Sequence, residues 1–370
     1  MVKIENKVVK KIEIIENIKK ILDTDNVSFQ SFAGEIQKLL STVDNLDKES
    51  LDYILKELKD LILELRPMMS ALISVACGYL IENGANPMIV VNELLKKVEN
   101  LLSLAMEFNN ACFKAGVPNS DDPHSIIDSV KKKMPLETEA WDALDKIYPA
   151  VVSMLSKSKE ARLIAQSYSN LKDLALDLIR SIQGAEWLAR ILSVLDDEDM
   201  LIFYPEKDLG YKIRISGISN SYQLHLLLAG ALIGDEKDGW IPGTPPDPKL
   251  ISYMTNTHYI GDARTNGYFE MKNWKASKPD GRLVQMFENY KGVRFDYYAI
   301  WGGEPAIEIP KFEDIRIVFL ELAETGKIKI NRNFNARREF QFLDAELKVL
   351  EKLPKNKVID WLNRIKMANQ

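Results

Sequence analysis

The spacing of apolar residues changes near residue 200, and that change limits what the chain can fold into more than any motif does. Before it, Ile4, Val8, Ile12, Ile15, Ile18 and Leu22 recur at three- and four-residue intervals, as do Leu51, Ile54, Leu55, Leu58, Leu61, Ile62 and Leu65. That is the period of helices that bury one face. After it, Leu201–Tyr204 and Tyr211–Ile215 read with the two-residue period of strands. Composition moves with the pattern. Residues 1–200 hold 5 of the 18 glycines, 10 of the 32 aromatic residues and 4 of the 13 arginines. They carry a net charge of −8, and the remainder carries +3. Asp196-Asp197-Glu198-Asp199 falls at the junction, where acids oppose the negative end of a helix. The sequence therefore predicts two domains of different class: an all-helical one over 1–197 and an α+β one over 198–370.

Within the first domain, punctuation residues set the helix ends. Asn83-Gly84 predicts a left-handed stop, and Asn86-Pro87 an N-cap followed by proline at the first helical position. Gly116 and Pro118 end one helix, Asp121-Asp122-Pro123 opens the next and Pro135 interrupts it. Ala161–Leu195 reads as one long final pattern. No convincing fixed period of repeat-array length emerges, so the expectation is an irregular bundle of helical hairpins.

The second domain reads as a mostly antiparallel sheet around one buried helix, because strand follows strand without crossover helices. That helix, Tyr222–Ile233, is apolar on nearly every face and is capped by Ser219 or Asn220. Lys278-Pro279-Asp280-Gly281 predicts a turn between Tyr268–Trp274 and Arg282–Asn289. Val293–Trp301 continues that meander, and Ile315–Glu321 with Lys327–Ile330 reads as a further hairpin. C-terminal helices, from about Ala336 to Leu353 and from Lys357 to Met367, close the chain.

Rare residues exclude several chemistries. Two cysteines (Cys77 and Cys112) and three histidines are too few, and too scattered, for a disulfide framework or a Cys/His zinc site. P-loop, dinucleotide-binding and nucleophile-elbow glycine patterns are absent, so no cofactor and no Cys/His-bound metal is expected, while a carboxylate-bound Mg²⁺, which needs few ligands and leaves a weak pattern, stays open. A net charge of −5 argues against a whole-chain clamp on nucleic acid or anionic lipid. No apolar leader opens the sequence and no uncharged stretch suits a bilayer, so a cytoplasmic protein without membrane contact is expected.

Four segments carry candidate chemistry. Thr255–Asn266 holds a general base in His258, a carboxylate to orient it in Asp262, and Arg264 and Asn266 for an anionic group. Trp240–Pro248 is proline-dense and stiff, suited either to lining a cleft or to plugging the core with Trp240. Ile300–Pro305 offers Trp301 and a second acid/base group in Glu304. Lys329–Phe340 interleaves Arg332, Arg337 and Arg338 with Phe334 and Phe340, a mixture that holds single-stranded nucleic acid or phosphate. His225 reads as a satisfied core histidine unless the fold sets it beside His258, and His124 reads as incidental.

The leading expectation is a binding or regulatory protein. In it a helical scaffold contacts a protein partner or a second copy, and an arginine- and aromatic-rich module recognises an anionic small molecule or RNA. The alternative is a hydrolase- or transferase-like enzyme working on a small anionic or phosphorylated substrate through His258, Asp262 and Arg264.

Overall fold

A computed structural model describes residues 15–21, 28–43, 46–255, 265–278, 282–283, 287–288, 294–295, 298–300, 303–322, 329–330, 340 and 342–370. The chain divides into two units, Met1–Leu192 and Ser193–Gln370.

Every regular element among the first unit's described residues is a helix. Residues 15–21 form α1. After it come α2 (Phe29–Leu40), α3 (Lys48–Glu64), α4 (Pro67–Glu82), α5 (Val91–Lys114), α6 (Pro123–Lys133) and α7 (Pro135–Lys157). Three short helices finish it: α8 (Lys159–Gln166), α9 (Leu171–Leu178) and α10 (Gln183–Ile191). Ends fall where capping chemistry puts them. Asp47, Asp122 and Ser158 each accept a backbone N–H two or three residues into the helix they open. Gly84 takes φ +114° just after α4, a conformation open chiefly to glycine. α4 is buried on most of its faces and lies so close to α7 that a Cβ at Gly78 would sit 2.7 Å from the Ala150 Cα. Within Ala161–Leu195 the expected single helix is instead three. Polar residues at 167–170 and 180–181 turn the chain, and the Ser167 hydroxyl takes the Ile164 carbonyl at 2.6 Å.

Cations from later helices close the C-terminal ends of earlier ones. Lys97 Nζ donates to the Leu65 carbonyl at 2.6 Å, just past α3. Lys157 Nζ donates to the Ile81 and Glu82 carbonyls at 3.1 and 2.6 Å, at the end of α4. The Arg162 guanidinium donates to the Leu155 and Ser156 carbonyls at 2.8 and 3.3 Å, in the last turn of α7. Each pairs a positive group with the negative end of a helix dipole.

The second unit is built on a mixed, mostly antiparallel sheet. β1 (Glu198–Tyr204) and β2 (Leu209–Ser216) form the expected hairpin, tightened by Asp208 at φ +53°. Then come α11 (Ser221–Leu232), β3 (Ile233–Gly234), β4 (Ile241–Pro242), α12 (Pro248–Thr255), β5 (Thr265–Asn266) and β6 (Phe269–Asn273). Among the described residues, β7 (Phe287–Glu288) pairs β8 (Arg294–Phe295). β9 (Lys311–Phe312), β10 (Ile315–Leu322), β11 (Lys329–Ile330), β12 (Glu346–Lys352) and α13 (Lys355–Ala368) complete the order. The sheet runs β12-β2-β1-β10-β6, with β9 against β10. β1 and β10 are parallel, Met200 beside Arg316 through Phe203 beside Phe319.

Alternation along the strands gives the sheet two apolar faces. Met200, Ile202 and Tyr204 join Ile213, Val318 and the α11 residues Leu224, Leu227 and Leu228. Leu201 and Phe203 join Ile317, Phe319 and the α13 residues Val358 and Ile365. The sheet is thus a middle layer between α11 and α13.

Three expectations change. Glu346–Lys352 is an edge strand, not the end of a helix. Glu346, Lys348, Leu350 and Lys352 are exposed while Leu347 and Val349 are half-buried against the core, a two-residue period that a run of good helix formers disguises. The chain therefore closes on one helix among the described residues, α13. Ile315–Leu322 and Lys329–Ile330 do not pair with one another. The first takes β1 and β6 as neighbours and the second takes β5. Tyr268–Trp274 contributes β6, which pairs β10 rather than the segment after the turn. Residues 279–281 of the expected turn lie outside the described residues, and on either side of them Lys278 N–H donates to the Arg282 carbonyl at 2.8 Å.

Candidate functional site

Of the candidate residues of the second unit, Asn266 lies on an antiparallel ribbon that continues the central sheet. β6 and β10 pair from Asn273 beside Val318 to Phe269 beside Leu322. The same two chain directions pair again at β5 and β11, Asn266 beside Lys329 and Thr265 beside Ile330. The described end of the 255–266 segment and the described start of the 329–340 segment are therefore tied to each other. Both extend from the end of the central sheet.

His225 fixes this ribbon to the buried helix. Its Nε2 accepts the Tyr268 N–H at 3.0 Å and the Phe269 N–H at 3.3 Å. A ring nitrogen that accepts has no proton there, so the histidine is neutral with its hydrogen on Nδ1. Complete burial pushes its pKa down to about 4. Its role in this fold is that of a core acceptor.

A charged group that sequence reading passed over lies on the α13 side of the ribbon. Glu270 and Lys272, two apart on β6, point to the face opposite Phe269 and Met271. Glu321 stands directly across from Glu270 in register. The Lys272 side chain is 1% exposed, and its Nζ lies 2.6 Å from Glu321 Oε2. Two carboxylates facing each other across a ladder repel, and the lysine offsets that repulsion. The signal was present in the sequence as two opposite charges at strand spacing inside an aromatic run, Phe269-Glu270-Met271-Lys272.

Glu304 sits at the opening of α11. Its backbone carbonyl accepts the Ser221 N–H at 3.0 Å, and the Ala306 N–H donates to the Ser219 carbonyl at 3.1 Å. The Asn220 side chain caps the helix through the Gln223 N–H at 3.0 Å. The half-buried Glu304 thus belongs to a clasp that holds the helix N-terminus.

Trp240 packs on the sheet. Its ring stacks on Tyr211 with centroids 5.9 Å apart and planes 9° apart, and Lys352 Nζ lies 3.4 Å from its ring centre. The same Lys352 donates to the Asp238 carbonyl at 2.6 Å, and the Tyr211 hydroxyl to the Gly239 carbonyl at 3.0 Å. These contacts seat the half-buried Trp240 against the core of the second unit. Phe340 is buried at 3% exposure, which withdraws it from any role as an open stacking face. Asn266 is positioned through its backbone in β5. His258, Asp262, Arg264, Trp301, Arg332, Arg337 and Arg338 lie outside the described residues.

Among the described residues, no group of three or more His, Cys, Asp or Glu side chains is arranged to hold a metal ion. No described helix is long and apolar enough to cross a membrane. Cys77 is fully buried, and desolvation pushes its thiol pKa up, away from the reactive thiolate. No family model, curated protein or solved structure matches the chain.

Proposed function

We propose that the second unit binds a small phosphate-bearing ligand through the polar segments that flank the β5–β11 pair, while the helical unit serves protein contacts or self-association. The observation that supports this reading is the register of Asn266 beside Lys329. It joins the segment carrying Arg264 and Asn266 to the one carrying Arg332, Arg337 and Arg338. Arginine offers a planar two-point fork for phosphate that lysine cannot copy. Burial of Phe340 removes one of the two aromatic faces that favoured RNA, so a small phosphoanion is the better candidate. The test is calorimetric titration with pyrophosphate and a nucleoside monophosphate, with a short single-stranded RNA as competitor. Arg264→Lys is expected to weaken binding about tenfold, roughly the loss of one charge-assisted hydrogen bond, at an unchanged melting temperature. No binding at millimolar ligand, or an Arg264→Lys effect on melting alone, would overturn it.

The grouping of Glu270, Lys272 and Glu321 beside that ribbon favours a second reading, an enzyme acting on the same class of ligand. Turnover of a phosphate ester that Glu270→Gln abolishes while ligand binding persists would select it. Binding without turnover would leave the first.

A further inference from the structure

A concavity in the helical unit has the chemistry of a cation site. It encloses about 370 Å³ and is lined by Asp145, Tyr148, Pro149 and Val152 of α7 with Gln183, Gly184 and Trp187 of α10. The spacing explains the lining. Residues 145, 148–149 and 152 share one face of α7, and 184 and 187 share one face of α10. The helices approach closely there because residue 184 is glycine. A Cβ at Gly184 would lie 2.0 Å from Tyr148 Cδ2, so the ring closes the floor of the hollow.

Three groups in this hollow favour positive charge. Pro149 stands inside α7 and has no amide hydrogen to donate to the Asp145 carbonyl one turn before it. The Asp145 carboxylate is exposed at the rim. Trp187 is 45% exposed, an indole face of the kind that attracts cations. No lysine or arginine lines the hollow. The local field is negative enough to be felt nearby: burial first, and then the Asp145 charge, push the Tyr148 phenol pKa up.

We infer that this hollow binds a small organic cation, an alkylammonium group whose charge meets Asp145 and whose methyl or methylene shell lies on Trp187 and Val152. The source is either a free amine or a methylated or unmodified lysine side chain of a partner, since both present the same headgroup. The positive end of α10 opposes a cation, and the hollow is open. Affinity in the millimolar range is therefore expected for the isolated headgroup.

The test follows the Trp187 indole N–H in a proton–nitrogen spectrum of the full chain, assigned by its loss in Trp187→Phe. Choline, butylammonium and 3,3-dimethylbutanol, the uncharged carbon analogue of choline, are titrated in turn. Choline and butylammonium are expected to move that resonance, and the neutral analogue to bind at least tenfold more weakly. Asp145→Asn should weaken choline at least fivefold, and Pro149→Ala, which restores a donor for the Asp145 carbonyl, should weaken it as well. A peptide bearing trimethyllysine that binds tenfold tighter than choline assigns the site to a partner, and equal affinity assigns it to a free amine. Equal binding of the neutral analogue, indifference to Asp145→Asn in a folded variant, or no shift at 50-fold above millimolar cation would overturn the inference.

Discussion

The ring of His225 accepts two amide hydrogens that its protonated form could not accept, and this gives one residue a measurable grip on the fold. An exposed histidine takes a proton near pH 6.5. In the folded chain burial holds that step down to about 4. The folded pKa lies below the unfolded one, so the contribution is intact above pH 6.5 and is lost as pH falls through 4. At full extent it is worth ~3 kcal/mol by the free energy of such a shift. Urea midpoints of the parent should therefore drop between pH 6.5 and 4 more steeply than those of His225→Gln, which has no titrating ring. Identical pH slopes would show that the ring is protonated in the fold. Lys97, Lys157 and Arg162 act at the same scale from the opposite sign. Burial lowers the pKa of Lys97 and of Lys157, yet both are spent on carbonyls that a helix cannot satisfy for itself.

Among the elements, α11 is the one on which most of the second unit depends. Leu226 is 1% exposed in it, and Leu224, Leu227 and Leu228 carry one face of the sheet. Leu226→Ala should cost ~2–5 kcal/mol, the range for a large-to-small change in a core. Leu226→Asp should abolish the folded state by forcing an unpaired charge inside. A soluble Leu226→Asp chain with native near-ultraviolet dichroism would mean that the helix is peripheral. This helix was legible because its whole surface is apolar, and the hairpin β1–β2 because its partners are neighbours in sequence. The helix ends at Asn83-Gly84 and Asp122-Pro123 were legible because capping is local chemistry. What could not be read was long-range pairing. Nothing in Ile315–Leu322 names β1 as its parallel neighbour, and nothing in Lys329–Ile330 names Thr265–Asn266. Glu346–Lys352 misled for a different reason, since a charged edge strand shares its residue types with an exposed helix. Of the candidate site, the polar segments stand out by composition. The Glu270–Lys272–Glu321 grouping needs the register that sets Glu321 opposite Glu270.

At the scale of the whole molecule, the division between units falls a few residues before the acidic run that marks it in sequence. Leu195 already belongs to the second unit: it is 5% exposed, donates its N–H to the Ile218 carbonyl at 2.9 Å and accepts the Ile218 N–H at 3.1 Å. A chain starting at Ser193 should therefore be more stable than one starting at Glu198. The margin is ~2–4 kcal/mol, from one buried leucine and two backbone hydrogen bonds, and urea unfolding of the two reads it directly. Equal midpoints would move the boundary back to the acidic run. The parallel pairing of β1 with β10 has a consequence for how this unit is made. Residue 200 must wait for residue 316 before the middle of the sheet can close. During synthesis β1 and β2 can meet at once, but the free edge of β1 stays open while more than a hundred further residues emerge, and closure over so long a loop is slow. The nascent second unit thus spends its youth as an unfinished sheet with a bare apolar strand. Refolding from denaturant should be slow and concentration-sensitive, and a chaperone that shields exposed strands should raise its yield.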